Sequence, residues 1–181
     1  MYIDPTLYME APADSAGREE KELACYALLD RLGIPFARAD HDSADTIELC
    51  HEIESLLGAS ICKNLFLCNA QKTAFYLLMM PGDKPFRTKD LSKQIGSARL
   101  SFAPPEHMLR CLNITPGSVS VLGLMNDRER EVRLLIDRDL TLQEFVGCHP
   151  CVNTATLRLR TADVLEKLLP ALGYVATFVE L

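Results

Sequence analysis

The sequence predicts a single α/β domain of the α+β kind: a mixed, mostly antiparallel sheet of about seven strands with helices around it. Three observations carry this. Segments of helical period alternate with short β-branched and aromatic runs along the 181 residues. Several strand-like runs are separated by only a few turn residues, which points to hairpins and away from regular βαβ winding. No internal repeat, low-complexity segment or linker divides the chain, and 48% apolar with 24% charged residues is ordinary globular composition.

The elements follow in order. Glu19 to Leu32 reads as an amphipathic helix with Leu23, Ala27, Leu28 and Leu32 on one side and Gly33 as its stop. Ile34-Pro35-Phe36 opens a short edge strand, where proline is tolerated. Thr46 suits an N-cap for a helix through Leu57, ended by Gly58. Ile61 to Cys68 is the strongest strand, turned by Asn69 to Lys72 into a second strand, Ala74 to Met80. After Pro81-Gly82-Asp83, Thr88 caps a short helix to Ile95. Leu100 to Ala103 is a strand, and a helix runs from Pro104 or Pro105 to Leu112. Thr115-Pro116-Gly117 turns into a strand, Ser118 to Leu124, joined through a charged hairpin loop (Asn126 to Glu131) to a return strand, Val132 to Asp137. Thr141 to Val146 is a short helix, Asn153 to Leu159 a strand, Ala162 to Leu172 a helix, and Tyr174 to Glu180 the closing strand.

Charge and cysteine usage limit the function classes. The net charge of −6 speaks against a protein that coats nucleic acid without selectivity. Yet between Lys84 and Arg99 the cations Lys84, Arg87, Lys89, Lys93 and Arg99 face only Asp90, either a solvated helix face or a phosphate-contacting patch. The odd number of cysteines, seven, and the places of Cys25, Cys50, Cys62, Cys68 and Cys111 in apolar patterns predict free buried thiols and not a disulfide framework, with Cys148 and Cys151 set apart. Residues 1 to 17 lack the basic, apolar-cored pattern of a targeting peptide, and no apolar run is long enough to span a membrane, so a cytoplasmic protein is expected.

Two places attract chemistry. Lys63 and Asn64 interrupt the strongest strand. Period-2 alternation puts Ile61, Lys63, Leu65 and Leu67 on one face and Cys62, Asn64, Phe66 and Cys68 on the other. A lysine there must reach water, a partner or the floor of a cleft, because a buried unpaired ammonium is costly. The second place is Gly147-Cys148-His149-Pro150-Cys151. One reading is a loop whose backbone N–H groups at Gly147 and Cys148 meet a developing oxyanion beside His149. The other is a Cys-x-x-Cys metal or redox site. Zinc ribbons need a second such pair, which the chain lacks, and thioredoxin-like pairs sit between a strand and a long helix, whereas this one precedes a strand. His41, His51 and His107 read as surface histidines. Phosphate-cradling glycine motifs and the nucleophile elbow of serine hydrolases are absent.

In order, Ser60 to Phe66, Arg99 to Ala103, Thr115 to Val119, Asp137 to Leu140 and Gly147 to Pro150 resemble the YbaK/ProX superfamily of aminoacyl-tRNA deacylases, and within it the freestanding ProX subgroup. The resemblance covers about residues 18 to 181 and leaves 1 to 17 as an N-terminal extension. It implies hydrolysis of a mischarged tRNA ester, alanine on the proline tRNA in that subgroup, with cysteinyl- or another misacylated tRNA as the nearest alternative. A noncatalytic module of the same fold that binds tRNA or a synthetase is the rival of a different class. The resemblance implies that Lys63 and Asn64 position the substrate, and that the loop at Gly147, Cys148 and His149 stabilises the oxyanion. Water attacks with help from the ribose 2′-hydroxyl, without metal, other cofactor or covalent intermediate. Arg99, Ser101 and the cations Lys84, Arg87, Lys89 and Lys93 are expected to meet the acceptor end of the tRNA, and prolyl-tRNA synthetase is an expected partner. Ile61, Leu65 or Phe66 are expected to line a tight apolar pocket for the small amino acid.

Overall fold

From the N-terminus, the computed structural model, which describes residues 2–43 and 47–181, runs through α1 (Glu20–Arg31), β1 (Phe36–Asp40), α2 (Ile47–Leu57), β2 (Lys63–Asn69) and β3 (Phe75–Met80). Then come α3 (Thr88–Gln94), β4 (Leu100–Phe102), α4 (Pro105–Leu112), a 3-10 turn at Val121–Asn126, and β5 (Val132–Asp137). A second 3-10 turn at Arg138–Leu142 leads to β6 (Phe145–Cys148) and β7 (Ala155–Arg160). Three continuous helical pieces, Thr161–Asp163, the π-helical Val164–Leu168 and Leu169–Leu172, make up α5, and β8 (Thr177–Val179) closes the chain. Pro170 has no N–H to donate and its ring crowds the carbonyl four residues back, so the wider π turn just before it relieves a defect that would otherwise kink the helix.

The strands do not form one sheet of seven. They form two, a three-stranded sheet ordered β1-β7-β6 and a five-stranded sheet ordered β4-β2-β3-β5-β8. The predicted antiparallel bias holds for β1–β7, β6–β7, β2–β3 and β2–β4, while β3–β5 and β5–β8 are parallel. Alternation explains the packing. Phe75, Leu77 and Met79 of β3 join Phe66 of β2 and Leu157 of β7 in the main core, and Tyr76, Leu78 and Met80 join Leu67, Leu91 and Leu135 in a second core on the other face. A third cluster packs Leu49, Ile53 and Leu57 of α2 on Ala39 of β1.

Several expectations change. The buried side of α1 is Glu22, Cys25, Tyr26, Leu28 and Leu29, while Ala27 is exposed. Glu22 is tolerated because its carboxylate accepts from Tyr26 and pairs with Arg18 at 2.6 Å. The predicted cap Thr46 lies outside the described residues, and the N-cap of α3 is Arg87, with Thr88 already helical. Ser118 to Leu124 is no strand: the Ser120 hydroxyl accepts from the Leu122 amide and starts the 3-10 turn. Its hairpin therefore does not form, and β5 pairs in parallel with β3. Thr141 to Val146 is not a helix either. Asp137 accepts from the Asp139 amide to cap a single 3-10 turn, after which Phe145 begins β6.

Residues before α1 cover the open edge of β1. Tyr8 and Arg38 exchange backbone hydrogen bonds of 2.9 and 2.7 Å, and the Asp4 amide donates to the Asp40 carbonyl. Arg38, 3% exposed, lies with its guanidinium 4.5 Å from the Tyr8 ring and 2.6 Å from an Asp40 oxygen.

Candidate functional site: where the two sheets meet

The segment before β2 crosses from one sheet to the other. Ile61 makes a parallel bridge with Gly147 of β6, with the Gly147 amide donating to Ser60 O at 2.8 Å and the Cys62 amide donating to Gly147 O at 2.9 Å. The Ile61 amide is fixed by Glu54 of α2, at 2.8 Å. A side chain at position 147 would have its Cβ 3.0 Å from Ile61 Cα and 3.1 Å from Ser60 O, so only glycine lets the two chains approach this closely. Gly82 presses on the same segment from the other side, where an added Cβ would collide with the Ile61 carbonyl. Two residues beyond the bridge on one chain stands Lys63, and two beyond it on the other stands His149. The bridge thus joins the chain just before one motif to the start of the other.

Lys63 is half-buried, and its Nζ donates to the Lys84 carbonyl at 2.7 Å. An ammonium has three donors, so two remain for a ligand. Lys84 is itself held: its Nζ lies 2.9 Å from Asp137 and 2.6 Å from Asp139. Desolvation works against that ammonium, but hydrogen bonds and charge from the two carboxylates outweigh it and raise the pKa. Lys84 therefore supports Lys63 from inside the protein and is not a free phosphate contact, a correction to the predicted patch.

Asn64 faces the main core side of β2. Its Nδ2 lies 3.3 Å from both the carbonyl and the Sγ of Cys62, and its buried Oδ1 has no hydrogen-bond partner among the described residues. A buried acceptor without a partner is costly, which marks it as a place for a ligand's donor. Phe66, by contrast, is 2% exposed inside the core and lines no pocket, whereas Ile61 and Leu65 are half-buried.

The Gly-x-His-Pro segment is the end of a strand and not a loop after a helix. Gly147 spends its amide on Ser60, and the alternation of the antiparallel ladder turns the amide of Cys148 toward its partner Leu157. The expectation that Gly147 and Cys148 offer free N–H groups to an oxyanion is corrected accordingly. The Cys148 thiol is buried beside Cys62 and Ser120, and burial pushes its pKa far up. Cys151 is also buried, 3.5 Å from Cys25 Sγ, and among the described residues no three His, Cys, Asp or Glu side chains cluster as a metal would require.

His149 is half-buried, with Nδ1 3.0 Å from the Ala155 carbonyl. Burial, helped by nearby His41, lowers its pKa against the opposing pull of that carbonyl. His41, expected at the surface, is only 5% exposed. Its Nε2 lies 2.8 Å from the Thr156 hydroxyl and its ring centroid 6.4 Å from that of His149. Sequence reading missed both His41 and Thr156 because their contact spans 115 positions. His51 is exposed as expected, and His107 lies tilted against Phe75, ring centroids 5.0 Å apart.

The remaining cations hold their places at the surface. Arg87, Lys89, Lys93 and Arg99 are exposed, and no carboxylate among the described residues pairs with them. Lys89 and Arg99 line a groove of about 480 Å³ with Thr88 and Ser92. A neighbouring hollow of the same volume is lined by Ala70, Arg99, Ser101 and Phe102. Phe102, 61% exposed on the edge strand and edge-on to Phe86, was not singled out by its pattern.

Comparison with known proteins shows the family. Residues 41–167 match the family model of the aminoacyl-tRNA editing domain. The chain is 37% identical over 158 residues to the prolyl-tRNA editing protein ProX of Acetoanaerobium sticklandii, covering 87% of this chain and 96% of that one. It is 31% identical over 172 residues to prolyl-tRNA synthetase associated domain-containing protein 1 of Danio rerio, covering 91% and 92%. Among solved structures, a candidate trans-editing enzyme for prolyl tRNA synthetase superposes with a TM-score of 0.66 over 90% of this chain and 98% of that one, at 16% identity, which speaks for the fold. The chain belongs to the aminoacyl-tRNA editing domain family.

Proposed function

We propose that the protein is a trans-editing deacylase that hydrolyses the ester of a mischarged proline tRNA, with alanyl-tRNA(Pro) as its substrate. The observation that supports this reading is the Ile61–Gly147 bridge at the junction of the two sheets, from which Lys63 and His149 each stand two residues along the chain. A proline site discriminates poorly against the smaller alanine, because a methylene-sized contact is worth only about 1–3 kcal/mol, so hydrolysis at a second site corrects the error.

In this reading, the two free donors of Lys63 meet the ester carbonyl oxygen as it becomes an oxyanion, the role the amide of Gly147 cannot fill. The orphan Oδ1 of Asn64 accepts from the substrate's α-ammonium or ribose hydroxyl, and half-buried Ile61 and Leu65 face the small side chain. Water attacks the carbonyl carbon with its proton drawn toward His149 or the ribose 2′-hydroxyl, and the 3′-oxygen of the terminal adenosine leaves. Arg99 and Lys89, with Ser101 and the exposed Phe102 between the grooves, suit the phosphates and an unpaired base of the acceptor end. Arg87 and Lys93 extend that positive surface.

The experiment is deacylation of alanyl-tRNA(Pro) by the native protein and by Lys63→Ala. Removing one oxyanion donor lowers kcat on the order of a hundredfold or more, while tRNA binding changes little. Wild-type protein that binds the tRNA yet leaves the ester intact, or a Lys63→Ala variant of unchanged rate, would overturn the reading.

A further inference from the structure

We propose that His41, by holding the Thr156 hydroxyl proton, is a positioning residue that keeps the proton of His149 on Nδ1, where the Ala155 carbonyl also accepts it, and so leaves Nε2 a bare lone pair. The inference rests on the reading above for the reaction, but the hydrogen-bond geometry stands without it.

The chain of assignments starts at a carbonyl. His41 Nδ1 lies 2.7 Å from the Asp42 carbonyl oxygen, which can only accept, so Nδ1 carries the proton. In a neutral imidazole Nε2 is then an acceptor, and its partner at 2.8 Å, the Thr156 hydroxyl, must donate to it. With its single proton spent, Thr156 Oγ1 offers only lone pairs elsewhere. His149 Nδ1 thus faces two acceptors, the Ala155 carbonyl at 3.0 Å and Thr156 Oγ1 at 3.4 Å, and must be the protonated nitrogen. Nε2 of His149 has no protein partner among the described residues and keeps its lone pair. In water a neutral histidine carries its proton mainly on Nε2, so this arrangement is imposed by the protein.

Both imidazoles are neutral near pH 7. Burial lowers the pKa of each, against the upward pull of Asp40 and Asp42 on His41. Thr156 is fully buried at 0% exposure, which keeps water from substituting for its hydroxyl. The consequence for hydrolysis is direction: a lone pair at Nε2 can take the proton of an attacking water or of a ribose hydroxyl, whereas an N–H there could not. His41 and Thr156 touch no substrate in this scheme and act through His149.

The test is multiple-bond proton–nitrogen NMR on full-length protein labelled at histidine nitrogens, with His149 assigned through His149→Gln. Wild type is expected to show a protonated Nδ1 and a bare Nε2 at His149. His41→Phe frees the Thr156 proton to turn toward His149 Nδ1, shifts His149 toward the Nε2–H form and lowers kcat for alanyl-tRNA(Pro) about tenfold, a fraction of what a general base contributes. KM stays within about twofold, because ground-state binding is untouched. Thr156→Val on its own leaves Nδ1 donating to the Ala155 carbonyl and keeps the tautomer, and added to His41→Phe it restores the Nδ1–H form. A wild-type His149 protonated on Nε2, a result readable in the native protein whether or not the variants fold, or a folded His41→Phe protein with an unchanged tautomer, overturns the inference. Absence of hydrolysis by wild type would instead defeat the functional reading, with the nitrogen signals still deciding the tautomer.

Discussion

Single side chains here divide into those whose surroundings the sequence announces and those whose partners lie far away. Cys62 belongs to the first group. Its place in an apolar pattern predicts a core thiol, and it is 5% exposed with its ionisation suppressed by burial. Cys148, whose sequence setting left a loop or a metal or redox pair open, is buried likewise, at 1% exposure. Cys50 alone among the seven is half-buried. Alkylation of native protein at pH 8, followed by peptide mass mapping, should therefore label Cys50 first and leave Cys148 and Cys151 untouched until unfolding. Prompt labelling of Cys148 would contradict its assignment to the core. His41 belongs to the second group, since nothing in the polar run around it signals Thr156. The two buried histidines have a thermodynamic consequence. Burial depresses both below the ordinary 6.5, so as pH falls the unfolded chain binds protons that the folded chain does not. Stability is fully present above about pH 6.5 and is lost progressively below it. The melting temperature should fall between about pH 7.5 and pH 5.5, and more steeply in wild type than in His41→Phe. Equal slopes would show that His41 titrates normally in the fold.

At the scale of elements, the strands with strong alternation were legible, and the pairing of strands far apart in sequence was not. β2 and β3 follow from their own residues and a short turn, because each buries both faces. Nothing local distinguishes a β5 that returns as a hairpin from one that pairs in parallel with β3, and the hydroxyl of Ser120 settles the matter by starting a 3-10 turn instead of a strand. Gly147 shows the same limit at the site. Its small size was readable, but its use, close approach to Ile61, depends on a sheet crossing that no spacing encodes. The cation Lys84 was read as surface charge, yet it joins the turn after β3 to the end of β5 through Asp137, which is wholly buried. Replacing Lys84 with Met leaves that carboxylate unpaired, and loss of one partner of such a pair costs about 3–5 kcal/mol. Chemical denaturation should register a drop of this order. The carbonyl that holds Lys63 should shift with it, raising KM or lowering kcat in the protein that remains folded. A loss under 1 kcal/mol, about what an exposed pair is worth, would show the bridge to be a surface one.

Over the whole molecule, an acidic chain with net charge −6 presents on one edge four cations that no carboxylate among the described residues pairs with, and its polar junction between two sheets. In the proposed reading, this charge layout suits a protein that meets one end of an RNA and does not coat it. Removing the cation of Arg99 should weaken binding of every aminoacyl-tRNA alike and flatten the dependence of KM on salt, since phosphate contacts carry affinity and not amino-acid choice. The edge patch and the motif pair were visible in the sequence because cations and a Lys-Asn pair in a strand are conspicuous there. The residues behind them, Lys84, Asp137, Thr156 and His41, were not, because their contacts form only when separate elements close on one another. The most direct measurement is hydrolysis of a panel of alanyl-, cysteinyl-, seryl- and prolyl-tRNA(Pro) by wild type and Lys63→Ala under identical salt. The expected result is rapid loss of alanine, retention of proline, and a fall on the order of a hundredfold or more in the variant. Intact alanyl ester after incubation with wild-type protein that demonstrably binds the tRNA would contradict it.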